Sequence, residues 1–201
     1  MKKEIEIKFQ LELDKISFFE TWLEDNAIFK GKIKITDFYL NNPKSSYYFM
    51  SPKGYKEALD FLRVRITDKK NYLCYKKRHI DSHYKTVSVD ELEVIVDDGL
   101  QAVKVLEHAG YTDIIRIEKT RSIFIYEDFE IVLDDVEDLG SFIEIEIKEH
   151  KHKTEKELIN ALDRIYDLLK KIGLPEIKKF DRGYLSIFLN PMYDFSEIVK
   201  L

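Results

Sequence analysis

The sequence contains a single cysteine, Cys74, and no long apolar run, and it is sparing with glycine (7 residues) and proline (4 residues). One cysteine excludes an internal disulfide framework and a cysteine-based zinc site. The lack of an apolar stretch of membrane-spanning length, together with an N-terminus (MKKEIEIKF) typical of a strand, leads us to expect a cytoplasmic protein with no membrane partner. Cys74 itself is expected to be a small strand residue rather than a nucleophile, because no neighbouring residue suggests an activating base.

Neither sign of charge predominates. The chain carries 33 basic and 38 acidic residues, a net charge of −5, which gives no overall attraction to nucleic acid. Any affinity for phosphate must therefore come from locally concentrated charges. The 201 residues, 44% of them hydrophobic, suffice for one substantial core. We predict a single domain over 1–201, with its core in about 1–190 and a C-terminal tail in 191–201.

Alternation of polar and apolar residues with a period of two dominates the sequence. In the first such segment, 4–13, glutamates and Lys8 fall on one face, and isoleucine, phenylalanine and leucine fall on the other. Seven further segments share the pattern: 34–40, 60–66, 72–79, 87–96, 114–125, 130–134 and 142–148. Eight strands of this kind predict a mainly β (α+β) protein built as an antiparallel barrel or sandwich.

Helical periodicity occurs in fewer places. Apolar stripes predict helices over 14–26, 98–109 and 155–172, and a short helix over 182–189. The third begins at a capping box formed by Thr154 and Glu157 and ends at Gly173. The stretch 41–55, with two prolines and several serines and tyrosines, is expected to be a long loop.

The polar faces of the predicted strands are sorted by charge. Carboxylates or cations two residues apart share a face in these pairs: Glu4 and Glu6, Glu144 and Glu146, Arg63 and Arg65, Lys76 and Arg78, Lys119 and Arg121. Solvated faces of ordinary amphipathic strands would explain each strand alone, but such faces usually mix the two signs. In a closed barrel with a polar interior, the carboxylates could hold Mg²⁺ or Mn²⁺ and the cations could neutralise a triphosphate.

Several motifs occur in the order found in one known superfamily. Glu4-Ile5-Glu6-Ile7-Lys8 matches an ExExK motif, Arg63-Val64-Arg65 and Lys119-Thr120-Arg121 match RxR and KxR strands, and residues 133–146 are close to the signature LDxVxxLGxFxExE. The chain thereby resembles the CYTH superfamily, also called triphosphate tunnel metalloenzymes. The run LGSFIEIE and the triplet Arg182-Gly183-Tyr184 resemble its CyaB-like branch, which includes class IV adenylyl cyclases.

The resemblance implies an eight-stranded antiparallel β-barrel, a tunnel that binds a triphosphate substrate with Mg²⁺ or Mn²⁺. The implied metal ligands are Glu4, Glu6, Asp134, Glu144 and Glu146. The implied triphosphate-binding residues are Lys8, Arg63, Arg65, Lys76, Lys119, Arg121 and Arg182. Catalytic roles would fall to Glu4, Glu6, Lys8 and Arg63, with Glu91 and Glu93 orienting the basic side chains. A homodimer is a further expectation that the resemblance raises.

Three functions remain open on these residues. The first, favoured by chain length and the LGSFIEIE run, is a class IV adenylyl cyclase that converts ATP to cyclic AMP and pyrophosphate. The second is a triphosphatase that hydrolyses inorganic, thiamine or nucleoside triphosphate, and it would use nearly the same residues around the phosphates. The third is a noncatalytic module that binds polyphosphate or nucleotide, which would need the basic pairs but not the carboxylates.

Overall fold

The computed structural model describes residues 6–80, 86–147 and 155–201. Within this part of the chain lie four helices and twelve strands. The helices are α1 (Leu13–Asn26), α2 (Gly99–His108), α3 (Glu155–Ile172) and α4 (Tyr184–Leu189). The strands are β1 (Glu6–Gln10), β2 (Ile28–Asn41), β3 (Tyr48–Met50), β4 (Lys56–Ala58), β5 (Asp60–Thr67), β6 (Asn71–Ile80), β7 (Thr86–Val96), β8 (Thr112–Tyr126), β9 (Phe129–Val136), β10 (Gly140–Ile147), β11 (Glu176–Phe180) and β12 (Ser196–Lys200).

The fold is mainly β, with an antiparallel sheet and four helices over the described residues. Ten strands are hydrogen-bonded in the order β12-β11-β1-β10-β9-β8-β2-β5-β6-β7, and β3 pairs separately with β4. All eight predicted strands are present. The sheet order ends at β12 and β7, and no pairing within the described residues closes it into a barrel.

The structure adds four strands that the sequence analysis did not assign. The hairpin β3–β4 begins inside the stretch predicted as a loop, and β12 occupies the predicted tail. Strand β11 pairs antiparallel with both β1 and β12. Each of the four is only three or five residues long, so alternation within it is too short to register as a period. Their conformation depends on pairing with distant segments of the chain.

The helices lie where the periodicity predicted them, and their ends follow local chemistry. Asp98 caps α2, its Oδ1 accepting a hydrogen bond from the Gln101 backbone N–H at 2.9 Å. Gly173, at φ 96°, follows α3, as a left-handed residue does at many helix ends. Thr154 of the predicted capping box lies outside the described residues. No helix in the described part of the chain is long and apolar enough to cross a membrane.

The chain divides into two compact units. The first comprises the described residues of 1–33, 120–181 and 195–201. Its core joins the apolar faces of β1, β9 and β10 to α1 and α3 in one hydrophobic cluster. Ile7 and Phe9 of β1 are almost completely buried in it, and the ring of Phe9 meets that of Phe19 edge-on at 6.3 Å. Alternation along β1 places Lys8 on the opposite, polar face.

The second unit comprises the described residues of 34–119 and 182–194. Its smaller core contains Leu40 of β2, Leu62 and Val64 of β5, and Val103 of α2. The residues between these apolar positions, among them Arg63, lie on the other face of the strands. In each unit, the strands therefore have one apolar face that packs in the hydrophobic core and one polar face.

Phe19→Ala should lower the free energy of unfolding by about 3–5 kcal/mol, because a fully buried aromatic ring leaves both lost contacts and a cavity. The neighbouring residue Phe18, which is 50% exposed, provides a matched control. Phe18→Ala should change the free energy by less than about 1 kcal/mol. Urea unfolding followed by circular dichroism measures both, and equal losses for the two variants would contradict the described orientation of α1.

Candidate functional site

Strand register in the first unit aligns three glutamates across neighbouring strands. Glu146 of β10 lies opposite Glu6 of β1 on one side and opposite Glu130 of β9 on the other. Residues directly opposite in antiparallel strands point to the same face, so these three side chains form a carboxylate row. Like charges placed in this way repel one another and favour a compensating cation. Glu130 was missing from the predicted site, because only the register reveals that it joins Glu6 and Glu146.

At the next residue pair on the same face of β1 and β10, where Lys8 lies opposite Glu144, acidic and basic side chains contact each other. Lys8 Nζ lies 3.0 Å from Glu144 Oε1. Arg121 Nη2 donates to Glu144 Oε2 at 2.7 Å, and Arg121 also binds Asp134 through Nε (2.7 Å) and Nη2 (2.5 Å). We call these four residues the Glu144 network. It joins two predicted metal ligands directly to two predicted phosphate-binding residues.

Asp134 is the most deeply buried member of the Glu144 network, with an exposed fraction of 0%. Both of its carboxylate oxygens accept hydrogen bonds from the one guanidinium group of Arg121. This bidentate geometry suits a planar guanidinium and compensates the loss of hydration that burial imposes on the carboxylate. Asp134 and Arg121 therefore fix each other in place.

In the second unit, the register of four strands brings basic residues onto one face. Asp37 of β2 lies opposite Arg65 of β5, and Arg63 of β5 lies opposite Cys74 of β6. The next pairing, between β6 and β7, places Cys74 opposite Glu93 and Lys76 opposite Glu91. The face therefore includes the predicted residues Arg63, Arg65 and Lys76.

Asp37 binds both arginines of β5, and we call these three residues the Asp37 cluster. Arg65 donates from Nε and Nη2 to the two oxygens of Asp37 at 2.7 and 2.8 Å, and Arg63 Nη1 lies 3.7 Å from Asp37 Oδ2. Burial raises the pKa of Asp37, but the hydrogen bond from Arg65 and the charges of Arg63 and Arg65 outweigh it and lower the pKa overall. Two guanidinium groups thus share one buried carboxylate.

Cys74 supports this face and is not poised for nucleophilic attack. Its thiol is buried, donates to Glu93 Oε2 at 3.1 Å and accepts from Arg63 Nη2 at 3.7 Å. Burial and the hydrogen bond to Glu93 raise the pKa of the thiol, which keeps it protonated. Cys74 is thus a buried strand residue, in agreement with the predicted position in a strand.

The remaining predicted phosphate-binding residues of the second unit each have an identified neighbour. Lys76 Nζ lies 2.9 Å from Glu91 Oε1. Lys119 is buried, and its Nζ lies 4.7 Å from the centre of the Tyr184 ring. Arg182 Nη2 donates to Glu57 Oε1 at 3.1 Å, a partner that no sequence motif indicated.

A preformed cage of metal ligands is not seen in the described part of the chain. No group of three or more histidine, cysteine, aspartate or glutamate side chains is placed there to hold a metal ion. Glu4, one of the predicted ligands and catalytic residues, lies outside the described residues. The structure brings Glu6 and Glu146 together in the carboxylate row, and it brings Asp134 and Glu144 together around Arg121.

Comparison with known proteins decides the family. The sequence pattern of the CYTH domain matches residues 2–184. The chain belongs to the CYTH family. The match spans every residue predicted for the site, from Glu4 to Arg182, and CYTH proteins are typically metal-dependent.

The individual proteins that this chain is similar to are distant in sequence but cover it almost completely. A protein from Methanocaldococcus jannaschii named "Putative adenylate cyclase" is 28% identical over 184 residues, 92% of this chain and 97% of its own. The PH1819 protein from Pyrococcus horikoshii is 26% identical, with a TM-score of 0.67 over 94% of this chain and 99% of its own. A Hippeastrum protein described as a "Putative adenylyl cyclase" with a dominant triphosphatase activity shares the fold at 19% identity, with a TM-score of 0.61 over 96% and 98%.

Asp134→Ala should lower the free energy of unfolding by about 3 kcal/mol, because it removes the carboxylate whose two oxygens the partly buried Arg121 binds. Asp128→Ala is the matched control. It removes a two-point aspartate–arginine pair in the same unit, but Asp128 and Arg164 are 34% and 46% exposed. That loss should stay within about 1 kcal/mol. Similar values for both variants in urea unfolding would contradict the role assigned to Asp134.

Ionisation of Asp37 should make the free energy of unfolding depend on pH. Because its pKa is lower in the folded protein than the ordinary value of about 3.8, the ionised carboxylate stabilises the fold above that pH. The stabilisation is lost as the pH falls below about 3.8 through the lower, folded-state pKa. Asp37→Asn should therefore be less stable at neutral pH and lose less stability on acidification. Urea titrations at about pH 7 and pH 3 test this, and an unchanged pH dependence would contradict it.

Proposed function

We propose that this CYTH protein is a divalent-metal-dependent enzyme that acts on a triphosphate, and that its reaction is the cyclisation of ATP to cyclic AMP and pyrophosphate. The observation that supports it best is the Asp37 cluster, in which two partly buried guanidinium groups share one buried carboxylate. Such an arrangement leaves positive charge in a chain whose net charge is −5. A polyanion with several oxygens is the guest that this charge favours.

The face that carries the Asp37 cluster also limits how its arginines can move. Arg65 is fixed by two hydrogen bonds to Asp37, and Arg63 lies between Asp37 and the Cys74 thiol. The Nε of Arg63 is buried and has no hydrogen-bond partner among the described residues. Donors fixed in this way before binding lose little conformational freedom when they meet phosphate oxygens, which favours affinity.

The donor chemistry of the carboxylate row fits a hard divalent cation. Glu6, Glu146 and Glu130 offer only carboxylate oxygens, which Mg²⁺ and Mn²⁺ prefer. Mg²⁺ is commonly held by one or two carboxylates together with substrate phosphates, so a complete protein cage is not required. We propose that Glu6, Glu144 and Glu146, with Asp134 and Glu4, hold the metal in the tunnel expected for the family. When bound, the metal would polarise a phosphate and stabilise the leaving group.

The residues of the chain have separate tasks in this reaction. Lys8 and Arg63 would neutralise the charge that develops on the phosphate undergoing attack, since both are cations held next to a carboxylate. Arg65, Lys76, Lys119, Arg121 and Arg182 would bind the remaining phosphate oxygens and set the register of the triphosphate. That register decides which phosphorus is attacked. The ribose 3′-hydroxyl gives cyclic AMP at the α-phosphorus, and water gives hydrolysis at the terminal one.

Hydrolysis of a triphosphate is the second candidate. The name of the Methanocaldococcus jannaschii relative supports cyclisation. The Hippeastrum protein shows that a chain with this fold and a cyclase-like name can have a dominant triphosphatase activity. Because the same basic residues serve both reactions, only the products separate them.

Purified protein incubated with ATP, thiamine triphosphate and inorganic triphosphate, each with Mg²⁺ or Mn²⁺, should give cyclic AMP and pyrophosphate from ATP. Chromatography that resolves every nucleotide and phosphate product is the measurement. Glu144→Gln should lower turnover at least about a hundredfold, and Glu12→Gln, at an exposed carboxylate of the same unit, should leave it unchanged. If orthophosphate forms and cyclic AMP does not, the reaction is hydrolysis and not cyclisation. If no triphosphate is turned over, the proposal is wrong.

A further inference from the structure

A second buried carboxylate of the second unit, away from every sequence motif, also lies between two arginines. Glu57 of β4 is 1% exposed. Its Oε1 accepts from Arg182 Nη2 at 3.1 Å, and its Oε2 lies 3.9 Å from Arg78 Nη1. Arg182 Nη2 also donates to the hydroxyl of Tyr55 at 3.0 Å. We call these four residues the Glu57 cluster.

The position of Glu57 is fixed by its backbone neighbours. The backbone N–H of Lys56 donates to Asn190 Oδ1 at 2.6 Å, and Asn190 Nδ2 donates to the Lys56 carbonyl oxygen at 2.8 Å. Asn190 follows α4 directly as its C-cap, and Arg182 lies two residues before α4 begins. The same short segment therefore anchors the strand that carries Glu57 and presents the arginine that Glu57 binds.

The hydrogen bonding of the Glu57 carboxylate is incomplete. Its Oε2 is buried without a hydrogen-bond partner among the described residues, an arrangement that costs stability. Burial lowers the pKa of Arg78; the charge of Glu57 opposes this shift, and the charge of Arg182 adds to it. Glu57 thus reduces the repulsion between two guanidinium groups that the fold brings near one another.

We propose that Glu57 is a positioning residue, which holds Arg78 and Arg182 as a pair of guanidinium groups for phosphate oxygens of the triphosphate. This inference rests on the proposed function, and it adds to that function Arg78 as a phosphate contact and Glu57 as the residue that aligns both arginines. One carboxylate between two guanidinium groups keeps their orientation fixed, and guanidinium groups in a fixed orientation suit the binding of phosphate oxygens.

Glu57→Gln keeps the shape of the side chain and removes its charge, so it tests positioning. We expect the Kd for inorganic triphosphate, measured by isothermal titration in Mg²⁺, to rise about tenfold, the effect of one weakened charge-assisted contact. The Kd for orthophosphate should change less than about threefold, because a single phosphate uses fewer of the donors. Glu57→Asp, which restores the charge, should recover most of the affinity. Asp60→Asn, at a carboxylate of the same unit that accepts from the Tyr75 hydroxyl, is the matched control and should bind as the wild type does.

Kinetics separate positioning from a general loss of folded protein. With the triphosphate that the wild type turns over, Glu57→Gln should raise KM about tenfold and change kcat less than about threefold. In a variant that already carries Arg78→Ala and Arg182→Ala, adding Glu57→Gln should have almost no further effect on Kd. If Glu57→Gln does not fold, as judged by circular dichroism, Tyr55→Phe removes one contact of Arg182 and should raise the Kd about threefold.

The outcomes that would overturn the inference are distinct from those that concern the function. Positioning by Glu57 would be rejected if Glu57→Gln bound inorganic triphosphate with wild-type affinity. It would also be rejected if Glu57→Gln had an undiminished effect in the variant without both arginines. If Glu57→Gln does not fold, wild-type affinity in Tyr55→Phe would reject it. A wild-type protein that binds inorganic triphosphate no better than orthophosphate would reject the proposed function itself.

Discussion

The hydrogen-bonded pairing of a buried carboxylate with a guanidinium group is the interaction on which the polar side of this protein depends. Asp134 is fully buried, and Arg121 supplies donors to both of its oxygens, as an ionised carboxylate removed from water requires. Asp37 repeats the arrangement with Arg65, and Glu57 repeats it less completely with Arg182. The arginines are consequently held in defined orientations, as a binding site for an anion requires.

The Glu144 network also changes how the charges of the sequence should be understood. Alternation placed the carboxylate pairs and the cation pairs on different strands, with Lys8 as a cation on the strand of Glu4 and Glu6. In the structure, Glu144 contacts both Lys8 and Arg121. Under the proposed function, an arriving metal or phosphate would therefore exchange places with charges that are already paired to one another. Binding of the two charges is expected to be coupled for this reason.

Sequence alone predicted the elements whose pattern is local. The strands, the helices and the faces of Arg63, Arg65 and Glu146 follow from periods of two and 3.6 residues, and the family follows from motifs in a fixed order. Contacts that depend on register could not be predicted in the same way. Glu130 belongs to the carboxylate row only because β9 pairs with β10 at that offset. Glu57 lies on a three-residue strand, and its burial beside Arg182 arises from a segment 125 residues further along the chain.

The C-terminal residues determine where the chain can be truncated without loss of structural contacts. The CYTH match ends at residue 184, and the chain passes into the second unit at residue 182 and back into the first at residue 195. A protein shortened to the end of the match would lose Asn190, which binds both backbone groups of Lys56, and β12, which covers one edge of β11. The exposed edge of β11 would then offer unpaired backbone groups to other chains, a common cause of aggregation. An expression boundary drawn from sequence similarity alone would thus fall inside the folded structure.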